Sequence, residues 1–509
     1  MATRRKVVLI VLILLAALAL VLILVIPRLA DLDRYRPEVI ARLQQETGRN
    51  IEIRRLSLRI LPTLAVRADQ VAIGNPPGFP AAPFLEIERV YAELDPLALL
   101  HREIEIRTLK LDAPTARLVS NTEGRWNTSS SEPPRATLRP AAWRIASAPS
   151  VVITKVQVED GRLIVLNALE SELGKGPSLE ADGVSATLED VDAEALGLHL
   201  MQAGSGWDGA PDGRNRGYSR MPRQIPWRPA VLTQAAAIQD AAAQEVARPE
   251  GRLAAHGILS ARSARFGAIQ VADIRSSSLE FYSGSVLLDG LALQLFGGRM
   301  TGSLVWDSAA RPPRYTTHLS FTGIDVARAL TAFPGARGKL TGTLEGHLDL
   351  TGWSALDTTS SSSGDPLDNK QGEGIVTVRN GTLPGIRLNP DLMALMKNII
   401  HSGSGDPSSF RSMSADLEIA QGEIRSRQIS IVGNGIGLEA SGALALVGAG
   451  RLNYQGVASI SARQNAVGNL VAGLLGSKMA NGGQISFPFT LTGTLVAPHF
   501  DAPRSMIFH

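Results

Sequence analysis

Leu340-Thr341-Gly342-Thr343-Leu344-Glu345-Gly346-His347-Leu348-Asp349-Leu350 is the stretch that decides the fold. Leu340, Gly342, Leu344, Gly346, Leu348 and Leu350 alternate with Thr341, Thr343, Glu345, His347 and Asp349. A period of two sends successive side chains to opposite faces of a strand, so one face is apolar or glycine and the other is wet. Ile485, Phe487, Phe489 and Leu491 alternate with Ser486, Pro488, Thr490 and Thr492 in the same way. Ile436, Leu438, Ala440, Leu444 and Leu446 form another such face, as do Tyr315, Thr317, Leu319 and Phe321. Towards the N-terminus Ile51 and Ile53 share a face, and Leu56, Leu58 and Ile60 resume it one residue out of phase. The same slip separates Ile104 and Ile106 from Leu109 and Leu111, as a β-bulge would. Turn-bounded runs of this kind number roughly 20–25, which makes the chain mainly β.

Helices are few. Pro37 suits a first helical turn, Val39, Ile40 and Leu43 share a face, and Gly48 suits the exit. An alanine-rich helix is expected around Val231 to Val246, another after Asn389-Pro390, and a glycine-diluted one over Val467 to Leu475. Asn127 to Pro140 and Ser354 to Gly374 read as loops, and Glu159-Asp160-Gly161 as a hairpin turn. Ala203 to Pro229 is rich in glycine, proline and arginine and reads as a long exposed insertion.

Val7 to Ile26 is twenty uninterrupted apolar residues preceded by Arg4, Arg5 and Lys6. As a helix this run matches the hydrocarbon thickness of a bilayer, and the flanking cations hold the N-terminus in the cytoplasm. It ends at Pro27-Arg28 without a small-x-small cleavage site, so an uncleaved anchor is expected, with everything after it on the far side. The 509 residues are 44% hydrophobic and only 19% charged, which excludes a disordered tail protein. A net charge of +3 and 5% aromatics argue against nucleic acid as a partner. The absence of cysteine removes disulfides, thiolate metal sites and cysteine nucleophiles together.

Catalytic motifs are lacking. No G-x-S-x-G, S-x-x-K or H-E-x-x-H occurs. His318 and His347 fall on polar strand faces and read as solvated; Asp31 and Asp33, close to the apolar run, read the same way. Gly335-Ala336-Arg337-Gly338-Lys339 has two residues between its glycines where a phosphate loop needs four, and it opens a strand. No enzyme activity, cofactor or metal is expected.

What covers the apolar faces then becomes the question. About five short helices cannot cover some twenty strands. Sheets packed on sheets, a β-solenoid, or a groove filled by an apolar ligand each solve it, and sheet-on-sheet packing is the ordinary solution.

The anchor is followed in order by Tyr35-Arg36-Pro37, Gly48-Arg49-Asn50-Ile51-Glu52-Ile53, Gly74-Asn75-Pro76-Pro77-Gly78-Phe79, Leu109 to Leu118, and Gly124-Arg125-Trp126-Asn127. Phe296 to Gly302, Phe321 to Asp325, Gly338 to Gly342, Asn380-Gly381-Thr382, and Gly493-Thr494-Leu495 with Pro498 and Phe500 come next. In this order the phrases resemble the AsmA family of envelope proteins, and the stretch from Glu170 to Gly251 departs from the pattern. The resemblance implies a single-pass protein of the inner membrane with its bulk in the periplasm. It further implies a long, curled antiparallel sheet forming an apolar groove for phospholipid acyl chains, in support of outer-membrane assembly. An outer-membrane or periplasmic protein is the further partner expected. Residues 1–6 are then cytoplasmic, 7–26 the anchor, 27–165 and 251–509 β regions, and 166–250 a divergent, loop-rich insertion. Leu340, Leu344, Leu348, Leu350, Leu438, Leu444, Ile485, Phe487, Phe489 and Leu491, taken from the alternation, are the candidate groove lining. The competing expectation is a structural or assembly factor whose sheets pack dry.

Overall fold

The computed structural model describes residues 32–60, 63–101, 104–121, 126–128, 151–167, 178–192, 248–249, 251–307, 309–310, 314–332, 336–353, 370–383, 409–433, 436–445, 450–461, 480–481, 484–494 and 497–501. The expected anchor, the insertion core, and the helices expected around 231–246, 389–399 and 467–475 lie outside them. Among the described residues no helix is long and apolar enough to cross a membrane.

Every described strand belongs to one sheet of 21 strands. The N-terminal part holds β1 (Ile51–Arg59), β2 (Ala65–Ile73), β3 (Leu85–Leu94), β4 (Ile104–Asp112), β5 (Thr115–Ser120), β6 (Val151–Asn167) and β7 (Leu179–Glu189). Next come β8 (Leu253–Phe266), β9 (Ile269–Tyr282), β10 (Ser285–Leu295), β11 (Gly298–Asp307), β12 (Arg314–Asp325) and β13 (Thr343–Trp353). The sheet continues with β14 (Lys370–Thr382), β15 (Ser409–Ala420), β16 (Glu423–Gly433), β17 (Ile436–Ala445) and β18 (Arg451–Ser461). It ends with β19 (Ala480–Asn481), β20 (Gln484–Thr494) and β21 (Pro498–Asp501).

The order of pairing is nearly the order of the chain, as expected for a meander, with one correction. β4 and β5 both pair parallel with β6. They lie end to end, divided at Ala113-Pro114, and act as one long strand between β3 and β6. Parallel neighbours need a long crossover, and residues 121–150 supply its length. Two further expectations change. Leu179–Glu189, inside the stretch 166–250 expected to be loop-rich, is a regular strand joining β6 to β8. Lys370 to Gly374, read as the end of a loop, opens β14.

The phase slip read at Ile53–Leu56 belongs to a line that crosses seven strands and the junction of β4 with β5. At one height the ladder passes over Arg54, Gln70, Glu88, Asp160, Gly183, Arg262 and Asp273. Gln70, Ala113, Asp160, Gly183 and Asp273 adopt φ between 48° and 65° along it. Glu159-Asp160-Gly161 is therefore a bulge within β6 and not a hairpin turn. A bulge bends its strand and tightens its twist, so aligned bulges bend all these strands together. The extra side chains meet on the polar side: Arg54 donates to Gln70 Oε1 at 2.7 Å, and Arg262 to Asp160 Oδ1 at 2.9 Å. Arg262 crosses β7 at Gly183, where a Cβ would stand 2.8 Å from its own Cβ. The second expected slip, at Ile106–Leu109, is a register shift between β3 and β4.

One edge of the sheet is sealed by the segment that precedes it. The helix α1 (Arg36–Thr47) carries Pro37 in its first turn and is capped by Gly48, whose φ of 64° lets its N–H reach Gln44 O at 2.9 Å. Its Val39, Ile40 and Leu43, with Leu32, pack on Ile51, Ile53, Leu56 and Ala68. Side chains of the same segment take up backbone groups of edge strand β1. Asp33 accepts from Leu56 N at 3.0 Å, Gln44 donates to Ile51 O at 3.0 Å, and Arg36 donates to Arg54 O. An edge so occupied is a poor template for another strand.

Candidate functional site

Residues directly opposite in neighbouring strands share a face, so the registers trace each face of the sheet. One row runs Leu56, Ala68, Val90, Leu111, Val158, Ala186, Leu259. A cluster of Leu163, Ala181, Val184, Ala264, Val271, Leu293 and Met300 carries the same face across β6 to β11. From there a row runs Met300, Phe321, Gly346, Val376, Ala415, Ile429, Ala440, Gly456, Phe489. One side of the sheet is thus apolar from the first strand to the last.

Nine of the ten candidate lining residues fall on that side. Leu344 heads a row through Val378, Met413, Ile431, Leu438 and Ala458 to position 487. Leu350 heads another through Gly372, Ile419, Ile424, Leu444 and Leu452 to Gly493. Leu348 pairs with Leu319 and Gly374, and Leu491 with Tyr454 and Phe500. Position 485 lies opposite 460 in register. Leu340 precedes β13 and packs with Val326, Leu330, Leu344, Val378, Phe410 and Met413, beside the short helix Val326–Ala329.

Burial along this side is uneven. Leu344, Leu348, Leu350, Leu417, Ile429, Leu438 and Leu444 are half-buried. At the far end Tyr454, Ala458, Phe489 and Phe500 are buried, with the Phe489 and Phe500 rings stacked at 4.9 Å. Glycines let the strands close up on this side: a Cβ on Gly374 would stand 2.3 Å from His347 O.

Burial pushes the Tyr454 phenol above its ordinary value of 10.0, against a smaller opposing effect of its hydrogen bond with Ser426. A raised folded-state value means that the neutral phenol is favoured by folding. Its stabilisation is whole below pH about 10 and is lost as pH rises through the folded value. Melting temperatures should therefore fall as pH rises above about 10, and Tyr454→Phe should lessen that decline. An equal decline in the variant would place the titrating group elsewhere.

The opposite side is polar and laced with cross-strand pairs. His318 Nδ1 lies 2.8 Å from Asp349 Oδ1, so this histidine, read as solvated, has a carboxylate partner on the next strand. Asp33 is likewise taken, by Leu56 N and by Arg36 at 3.6 Å. Among the described residues no group of three or more His, Asp or Glu side chains is placed to hold a metal ion.

Nothing in the local sequence signals that three of the quoted motifs converge. Asn127 is fully buried. Its side chain accepts from Val119 N at 3.0 Å and donates to Arg117 O at 2.7 Å and Asn75 Oδ1 at 2.8 Å. Arg49 donates to Asn127 O at 2.7 Å while its guanidinium lies 4.8 Å from the centre of the Phe84 ring. Burial pushes the Arg49 pKa down. Asn75 in turn holds Pro80 O and Ala82 O at 3.0 and 2.8 Å. Gly48-Arg49-Asn50, Gly74-Asn75-Pro76 and Trp126-Asn127 thus tie the helix exit, the β2–β3 connection and the end of β5 together.

Residues 1–172 match the model of the AsmA family. The AsmA family protein YhjG of Escherichia coli (strain K12) is 27% identical over 165 residues, which is 30% of this chain and 23% of that protein. The match therefore spans about a quarter of the length of this curated relative. No solved structure matches the chain. The hub of Arg49, Asn75 and Asn127 lies wholly inside the matched region, and these matches tie residues 1–172 to the AsmA family.

Proposed function

We propose that the protein is anchored in the inner membrane by residues 7–26 and binds phospholipid by its acyl chains along the apolar side of the sheet. In this reading it helps pass lipid between membranes through the periplasm, and so supports outer-membrane assembly and envelope integrity. The tie to the AsmA family supports an envelope-associated role. The observation that carries the finer reading is the apolar side itself. It is continuous from β1 to β20, and all described strands lie in one sheet, so no second sheet among them covers it. A leucine screened only by neighbours on its own face is half-buried, whereas one pressed between two sheets is nearly sealed. The half-buried Leu344, Leu348, Leu350, Leu438 and Leu444 fit the first case.

An acyl chain laid along this side gains about 0.8 kcal/mol for each methylene removed from water. The aligned bulges bend the strands and favour a groove over a flat surface. Strand spacing gives a stack on the order of 90 Å. The second reading, a factor that acts through protein contacts over a dry core, is favoured where this side is sealed, at Val271 and Leu293, at Val378 and Ile419, and at Tyr454, Phe489 and Phe500 at the far end. Mass spectrometry of lipids extracted from the purified full chain separates the two. Phospholipid in stoichiometric amount, beyond that on an unrelated single-span protein purified alongside, is the expected result. Equal amounts on both would sink the lipid reading.

A further inference from the structure

Where the ladder passes over Arg54, Gln70 and Glu88, each of β1, β2 and β3 presents two adjacent polar residues at one height. These pairs, Arg54 with Arg55, Asp69 with Gln70 and Glu88 with Arg89, line a depression of about 570 Å³ together with Asp33 and Arg67. Four guanidiniums face three carboxylates there, and the carboxylates are engaged. Asp69 is 2.8 Å from Arg67, Glu88 is 3.5 Å from Arg89, and Asp33 holds Leu56 N. Arg54 bonds the neutral Gln70, and among the described residues Arg55 has no carboxylate within ion-pair distance. Arg89 Nε is buried and makes no hydrogen bond, with Asp112 Oδ2 3.7 Å away.

Two neighbouring arginines without carboxylates suit an oxyanion of several acceptors, because guanidinium forks match phosphate oxygens in pairs. Asp33 follows Ile26 by seven residues, a reach of at most about 25 Å of extended chain, so the depression lies close to the end of the apolar run. We propose that this depression is a phosphate-binding site, taking the phosphodiester of a lipid headgroup or a free phosphate. The headgroup as source rests on the anchored reading above; the binding chemistry does not.

The test uses the full chain in neutral detergent, titrated calorimetrically with inorganic phosphate and with glycerophosphoglycerol, a headgroup without acyl chains. Saturable binding is expected, weakened at least tenfold in Arg54→Gln/Arg55→Gln at an unchanged melting temperature. Arg425→Gln, which removes a guanidinium paired with Glu423 on β16, should bind as the parent does. If the double variant melts early, Arg55→Gln alone repeats the comparison. Tighter binding of glycerophosphoglycerol assigns the lipid headgroup, and equal or tighter binding of phosphate assigns the free ion. No saturable binding of either probe, or unchanged affinity in the arginine variants, overturns the site. Neither probe has a hydrocarbon tail, so failure here leaves the acyl-chain reading standing, and an apolar side found empty of lipid leaves this site standing.

Discussion

Leu348→Asp should leave the protein folded and strip it of lipid. Leu348 is half-buried on β13, between Leu319 and Gly374. If the apolar side lies open, the new carboxylate keeps water and costs no more than about 1–2 kcal/mol of lost apolar contact. If another layer pressed on it, the charge would be buried without a partner at a cost of several kcal/mol, enough to unfold a marginal domain. Phe489→Asp is the contrasting case. That ring is 4% exposed and stacked on Phe500. Its loss costs about 3–5 kcal/mol before the charge is counted. The expected pattern is near-parental abundance and melting for Leu348→Asp with little co-purifying phospholipid, and early melting for Phe489→Asp. Thr343→Asp, exposed on the polar side opposite Arg379, should change neither quantity. Equal melting losses in Leu348→Asp and Phe489→Asp would hand the case to a dry core.

The alternation that starts at Leu340 made the main architecture legible. Period two is a property of the local chain, and it placed nine of the ten candidate positions on one side before any partner strand was known. Pairing partners far apart in sequence leave no such trace. Nothing near Ile104 or Val151 states that β4 and β6 run parallel, because the crossover and not the strand decides direction. Asp160 was misread for a related reason. A residue with positive φ serves a bulge as well as a turn, so Glu-Asp-Gly fits both, and the neighbouring strand selects the bulge. The glycines of β14 looked like loop punctuation, yet Gly372 and Gly374 sit where a Cβ would strike carbonyl oxygens of β13. Nothing in the local sequence marks Arg54 and Arg55; the alignment of bulges on three strands brings them into one depression with Arg89.

Asn127→Ala should cost the N-terminal part of the sheet about 3 kcal/mol, more than an average substitution. The alanine deletes three hydrogen bonds at once, to Val119 N, Arg117 O and Asn75 Oδ1. Val119 N gains no water in exchange, because Val119 is 6% exposed and Asn127 itself 0%, while Arg117 and Asn75 are half-buried. A neutral hydrogen bond is worth about 1 kcal/mol net, and a stranded buried donor about as much again, so 3 kcal/mol is the lower end. Asn127→Asp is no remedy. It keeps the acceptor for Val119 N but turns a carboxylate oxygen towards Arg117 O and Asn75 Oδ1, which have only lone pairs to offer. Because Arg49 reaches the backbone carbonyl of Asn127 and not its side chain, that contact survives in both variants and the loss stays assignable to the amide. The measurement is hydrogen exchange over residues 115–120, where 3 kcal/mol corresponds to roughly a hundredfold faster opening. Exchange on β16 to β18, many strands away, should be unaltered. Unchanged exchange at Val119 would mean that Asn127 is merely enclosed by these motifs and does not hold them together.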